Sequence, residues 1–144
     1  MPQDASKQRK KALKDAQRAV DAELTREKGD YVPPDRTECV EKEWHQSLDD
    51  SGDIRIEIRV WRHEGRMVDF VLLIQVGDWS QDGSWEQVAR VDCSGGRCHI
   101  HPPESPDEHK LIHRLDTVND VEIAYRAANS IAMTVAAMIR DRRS

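Results

Sequence analysis

Two histidines with one residue between them are the first candidates for chemistry. On a β-strand, His99 and His101 point to the same side, about 7 Å apart by strand rise. Arg90 and Asp92 precede them with the same spacing, and Arg97 lies two residues before His99. Imidazole, carboxylate and guanidinium groups together can move protons, bind metal ions or stabilise negative charge.

The stretch that carries these residues, 85–101, is predicted to be a β-hairpin. Both arms alternate apolar and polar residues, and Gly95 and Gly96 supply the positive φ angles of a tight reversal. With a loop of residues 93–96, Asp92 faces Arg97 and Arg90 faces His99. One face, the charged face, carries Glu86, Arg90, Asp92, Arg97, His99 and His101. The core face carries Trp85, Ala89, Val91, Cys98 and Ile100.

Metal binding is one interpretation of the charged face. His99, His101, Asp92 and Cys93 are residue types that zinc accepts as ligands. The Cys98 side chain, however, points to the core face, and the sequence contains neither a CxxC nor an HExxH motif. We therefore predict no metal and no cofactor.

Metal-free acid-base chemistry on RNA is the second interpretation. One of His99 and His101 would take the proton of a ribose 2′-hydroxyl, and the other would protonate the leaving oxygen. Arg90 or Arg97 would stabilise the charged transition state. The same residues are also typical of a solvated sheet face with cross-strand ion pairs, in which the histidines have no chemical role.

The order of elements around these residues resembles the small bacterial proteins of the TumE type. The resemblance covers about residues 66–142 and depends on Arg90, Asp92, His99 and His101. It implies a component of a toxin–antitoxin pair with RNase-like activity, whose partners would be RNA and an antitoxin or another protein. A non-catalytic interaction or dimerisation module, with a homodimer as one form, is the alternative.

Composition narrows the class of protein. The net charge is −5, but residues 1–28 alone carry +3, so a basic arm is joined to an acidic body. Three cysteines are an odd number without a close pair, which favours a reducing compartment. No apolar run is long enough to span a bilayer and no signal peptide is evident, so the expected location is the cytoplasm without membrane contact.

Two apolar patterns predict the core strands. Residues 54–60 alternate apolar and polar positions, and beyond His63-Glu64-Gly65 residues 68–74 are apolar at every second position. A three-residue loop there would pair Ile58 with Phe70 and Val60 with Val68. The second strand is apolar on its reverse side as well, through Met67, Val71 and Leu73. We expect the N-terminal helix or a second copy of the chain to cover that side.

Helices are predicted at both ends of the chain. Residues 6–28 form a basic helix, and residues 119–141 form a long helix whose apolar stripe centres on Ile131. The expected fold is α+β: an antiparallel meander of four to five strands, with the C-terminal helix on one face and the basic N-terminal helix added. The expected divisions are 1–30 as the basic helix, 31–50 as a linker or edge strand, and 51–144 as the α+β domain.

Overall fold

Six strands form one antiparallel sheet in the order of the sequence. The computed structural model describes residues 8–18, 28–48, 52–78 and 83–143. The strands are β1 (Val40–Ser47), β2 (Ile54–His63), β3 (Arg66–Asp78), β4 (Ser84–Ser94), β5 (Arg97–His101) and β6 (Lys110–Arg114). Residues 8–18 are helical (α1), Arg36–Glu38 form a 3₁₀ turn, and Val118–Arg143 form the long helix α2.

The predicted class is confirmed, but the number of strands is not. The chain is an α+β domain with an antiparallel meander and a C-terminal helix, and the sheet has six strands where four to five were expected. The additional strand is β6, in the segment 109–115, whose short sequence does not distinguish a helical turn from an extended piece. At the opposite edge, β1 pairs with β2 along its whole length.

The pairing of β2 with β3 differs from the predicted register by two residues. Ile58 lies opposite Leu72, not Phe70, and Val60 lies opposite Phe70. The turn contains only Glu64 and Gly65, both with positive φ, which is the conformation of a two-residue hairpin loop. A β-bulge then inserts Val68 between the pairs Arg62–Met67 and Trp61–Asp69 and restores apolar residues to the core face.

Small residues of α2 form its contact with the sheet. Its fully buried positions are Val121, Ala124, Ala128, Ala132 and Ala136. Ile131, the predicted centre of the stripe, is only half-buried, and Met138 is 49% exposed. Alanine has no side chain beyond Cβ, so the helix backbone approaches the sheet closely and the larger residues lie at its flanks.

The outer face of the sheet, away from α2, is covered at β3 by residues 31–39. The Tyr31 hydroxyl donates a hydrogen bond to the Val68 carbonyl at 2.6 Å, and the Arg36 guanidinium lies 3.8 Å from the centre of the Trp61 ring. Trp61, Val68 and Val71 are buried there. Residues 8–18 of the predicted N-terminal cover are exposed throughout, and residues 19–27 lie outside the described part of the chain.

One backbone junction joins three distant segments. The Gly96 carbonyl accepts hydrogen bonds from the amides of Gly29, at 2.8 Å, and Leu115, at 2.9 Å. A Cβ atom on Gly96 would lie 2.0 Å from the Gly29 oxygen, and one on Gly29 would lie 1.9 Å from the Leu115 oxygen. Only glycine therefore fits at both positions.

Among the described helices, none is long and apolar enough to cross a membrane.

Candidate functional site

The β4–β5 hairpin carries the predicted residues, with different partners. Gly95 and Gly96 alone form the turn, with φ angles of 60° and 75°. The strands therefore pair two residues closer to the turn than a four-residue loop would allow. Asp92 lies opposite His99 and Arg90 opposite His101, which corrects the predicted pairs Asp92–Arg97 and Arg90–His99.

A second correction concerns the far end of β4. A β-bulge at Val88 separates the pairs Ile74–Ala89 and Gln75–Gln87, so the alternation of β4 reverses beyond it. Trp85, predicted on the core face, packs on the Arg55 guanidinium at 4.0 Å from its ring centre. Glu86, predicted on the charged face, lies opposite the buried Val76.

Three side chains converge on the outer face and are called here the histidine cluster: Asp92, His99 and His101. Each offers one ligand atom, and these atoms lie within 4.8 Å of one another. The His99 Nε2 atom is 2.7 Å from the Asp92 Oδ1 atom. The contact is an ion pair between the imidazole and the carboxylate, and it helps to lower the pKa of Asp92. The His99 ring is buried, and its Nδ1 atom has no hydrogen-bond partner within the described ranges.

The loop between β5 and β6 adds a third imidazole beside the cluster. The His109 ring centre lies 5.1 Å from that of His99 and 6.0 Å from that of His101. In the same loop, the Glu108 carbonyl accepts a hydrogen bond from His101 Nδ1 at 3.2 Å. Sequence spacing did not indicate His109 as a neighbour of His99, because only the path of the loop brings them together.

Arg90 supplies the positive charge at the edge of the cluster. Its Nε atom lies 2.7 Å from Asp92 Oδ2, and its side chain is 46% exposed. Burial raises the pKa of the Asp92 carboxyl, but the contacts with His99 and Arg90 outweigh burial and hold that pKa below its usual value. The carboxylate is therefore ionised at neutral pH.

A groove of about 270 Å³ opens beside Arg90 and His101. The bulge residue Val88 and Pro106 of the β5–β6 loop form part of its lining. His101 lines this groove, whereas His99 does not and has only 6% of its surface exposed.

Arg97 and the cysteines stand apart from the cluster. Arg97 lies at the turn end of β5, between Ser94 and Arg114 in the sheet. Cys98 is fully buried in the core, as predicted. The thiol contact with Cys98, followed by burial, raises the pKa of the Cys93 thiol strongly, so it is protonated and poorly nucleophilic.

A second group of possible ligands lies on the same outer face, between β1 and β2. Its residues are Glu43, His45 and Glu57. Their spacing in the sequence matches no ligand motif. His45 Nε2 is 3.1 Å from Glu57 Oε1, while Arg59 lies 3.0 Å from Glu57 and 3.8 Å from Glu43. One guanidinium thus already offsets part of the charge of the two carboxylates.

The fold and site together define a small α+β domain with a histidine–carboxylate centre on the open face of its sheet. The chain belongs to the family described as a domain of unknown function, DUF7718, whose model matches residues 39–135. That match spans all six strands and most of α2, including the histidine cluster. Comparisons with curated proteins and with solved structures gave no match.

Proposed function

We propose that the histidine cluster cleaves phosphodiester bonds in RNA, in a protein that acts as the toxin component of a toxin–antitoxin pair. The observation that carries the proposal is the convergence of Asp92, His99 and His101 within 4.8 Å beside an open groove. The resemblance of the sequence to proteins of the TumE type is the reason for the choice of RNA as substrate.

Burial changes the roles expected from the sequence. His99 is 6% exposed, so it does not reach a substrate and cannot form one half of a free acid-base pair. We therefore assign activation of the attacking oxygen to the three residues of the cluster as a unit. Arg90, at the mouth of the groove, is assigned to the negative charge that develops on the phosphoryl oxygens.

RNA cleavage by the purified full chain tests this proposal. A labelled single-stranded RNA should be cut, whereas the DNA of the same sequence should not if the 2′-hydroxyl is the nucleophile. His101→Ala should lower the cleavage rate by about 10²-fold or more, the usual contribution of a general acid or general base.

His45→Ala is the matched control, because His45 also contacts a carboxylate on the outer face but lies in the other group. It should cleave RNA like the parent protein. Equal rates for His101→Ala and His45→Ala would contradict the proposal, as would a parent protein that cleaves no RNA. In cells, induced expression should slow growth, and His101→Ala should remove that effect.

A protein-interaction module is the second candidate function. The observation that favours it is α1, in which every described residue is exposed, including Leu13 at 72%. A basic helix that is exposed along its described length is suited to an acidic partner. If the parent protein does not cleave RNA, protein interaction is the candidate function that remains.

A further inference from the structure

We propose that Asp92, His99 and His101 bind one divalent transition-metal ion of the zinc type. The reaction that such an ion would serve depends on the proposed function, but its binding follows from the geometry of the cluster alone. Two imidazoles and a carboxylate are a donor set that zinc and neighbouring first-row ions accept.

The donor atoms are close to metal-binding distances. Zinc binds imidazole nitrogen and carboxylate oxygen at about 2.0–2.2 Å, so two donors on one ion lie about 3–4 Å apart. One atom from each cluster residue already lies within 4.8 Å of the others, and His99 Nε2 and Asp92 Oδ1 are 2.7 Å apart. Small side-chain rotations would therefore bring all three donors to one ion.

One buried polar atom that lacks a hydrogen-bond partner in the described part of the chain, Asp92 Oδ1, belongs to a proposed ligand and faces His99 Nε2. Asp92 Oδ1 and His99 Nδ1 have no hydrogen-bond partner among the described residues, and the His99 side chain is more than nine-tenths buried, at 8% exposed. Buried polar groups in folded proteins are nearly always paired. In the neutral tautomer that carries its proton on Nδ1, the His99 Nε2 lone pair and Asp92 Oδ1 can bind one cation together.

Neighbouring groups hold two of the proposed ligands, His101 and Asp92, in position, as is usual for metal ligands in proteins. His101 donates its Nδ1–H to the Glu108 carbonyl, which leaves the Nε2 lone pair for an ion. Arg90 holds the other carboxylate oxygen of Asp92, Oδ2, at 2.7 Å. Both contacts fix a donor without occupying the atom that would bind the metal.

Three protein ligands would leave one coordination position open next to the groove. An open position of this kind distinguishes catalytic zinc sites from structural ones. An ion there would polarise a phosphoryl oxygen of RNA for attack by the adjacent 2′-hydroxyl. The new bond to phosphorus would form as the bond to the leaving 5′ oxygen of the next nucleotide breaks. The buried His99 would then contribute to the reaction without contacting the substrate.

The group formed by Glu43, His45 and Glu57 is not expected to bind an ion. Arg59 contacts both carboxylates of this group, Glu43 and Glu57, whereas Arg90 contacts only one oxygen of Asp92, Oδ2, and leaves Oδ1 for an ion. We therefore expect one ion per chain and not two.

Titration of the metal-free full chain, purified without a histidine tag, tests the proposal. Calorimetry with Zn²⁺ should give one site per chain, and Co²⁺ should give visible absorption bands of a four- or five-coordinate ion. Loss of groups behind metal ligands commonly costs 10–100-fold in affinity. Removal of a ligand should cost at least ~100-fold, so His101→Ala and Asp92→Asn should both weaken binding by that factor.

His45→Ala is the control and should bind one ion with the affinity of the parent. His99→Ala removes a buried ring and can unfold the chain, so the two more exposed ligands carry the test, with circular dichroism to verify their fold. The proposal is overturned if the parent binds no Zn²⁺ or Co²⁺, or if His101→Ala and Asp92→Asn bind as the parent does. It is also overturned if His45→Ala alone abolishes binding.

The outcomes for metal binding and for RNA cleavage are separable. A protein that binds one ion through the cluster but cuts no RNA when loaded supports the metal site and contradicts the RNase proposal. Cleavage that continues unchanged after complete chelation supports the RNase proposal and overturns the role of the ion in it.

Discussion

At the scale of single residues, neighbours in space decide what each polar group can do. Asp92 has one oxygen beside Arg90 and the other beside His99, so one side chain belongs both to a surface ion pair and to a buried histidine contact. The sequence identified all three residues as candidates. It did not reveal that His99 would be buried, because alternation assigns a side chain to a face but not to a depth below the covering loop.

Asp120 provides a residue-scale prediction at the start of α2. Its carboxylate accepts hydrogen bonds from the Asp116 and Thr117 amides at 2.8 and 3.0 Å, and these contacts hold its pKa below the ordinary 3.8. Asp120→Ala should lower the free energy of unfolding at pH 7 by about 1 kcal/mol, the usual contribution of a helix cap.

The pH dependence of this loss has a fixed sign. A carboxyl with a lowered pKa in the folded state stabilises the protein above its unfolded pKa, and the effect disappears as the pH falls through the folded value. Urea unfolding should therefore give Asp120→Ala and parent curves that converge below about pH 3.8. Glu122→Ala, which removes only an exposed pair with Arg126, should cost about 0.5 kcal/mol or less. A gap that widens in acid would contradict the capping role.

At the scale of elements, the sequence predicted faces better than it predicted partners. In both hairpins the predicted register was wrong by two residues, while the apolar face of each strand was largely right. A strand has a period of two, so a shift of two residues preserves the apolar pattern and leaves the choice to the turn. The short turns at Glu64-Gly65 and Gly95-Gly96, and the bulges at Val68 and Val88, decided the pairing.

Substitutions in α2 test which of its faces packs on the sheet. Ala128 is fully buried, whereas Ile131 is half-buried at the flank. Ala128→Asp should lower the free energy of unfolding by about 3 kcal/mol or more, because it would bury a charge without a partner. Ile131→Asp should cost less, since its carboxylate can turn to water. If Ile131→Asp were the more damaging change in urea unfolding, the alanine contact would be misassigned.

At the scale of the whole molecule, two segments that precede the sheet differ in whether they pack on it. Residues 8–18 are exposed, while residues 31–39 cover Trp61, Val68 and Val71 on the outer face. The sequence indicated an apolar outer surface on β3 that needed a cover. It could not identify the cover, because Tyr31 and Arg36 reach β3 through long-range contacts with no local pattern.

Two truncations test which of these segments is needed to cover the sheet. Removal of residues 1–18 should leave the melting temperature close to that of the full chain and the protein in solution. Removal of residues 1–39 should lower it strongly and cause aggregation, because it exposes the apolar surface around Trp61. Melting curves and light scattering measure both effects. Aggregation of the shorter truncation would mean that the N-terminal helix is itself a necessary cover.

The junction at Gly96 also has a consequence for the order of folding. The meander can grow by local hairpins, but the Gly96 carbonyl receives its donors from Gly29 and Leu115, which are far away in the sequence. Contacts between distant segments require closure of long loops, so they should form after the hairpins. In pulsed hydrogen exchange during refolding, the amides of Gly29 and Leu115 should gain protection together and later than the amides in the middle of β2 and β3.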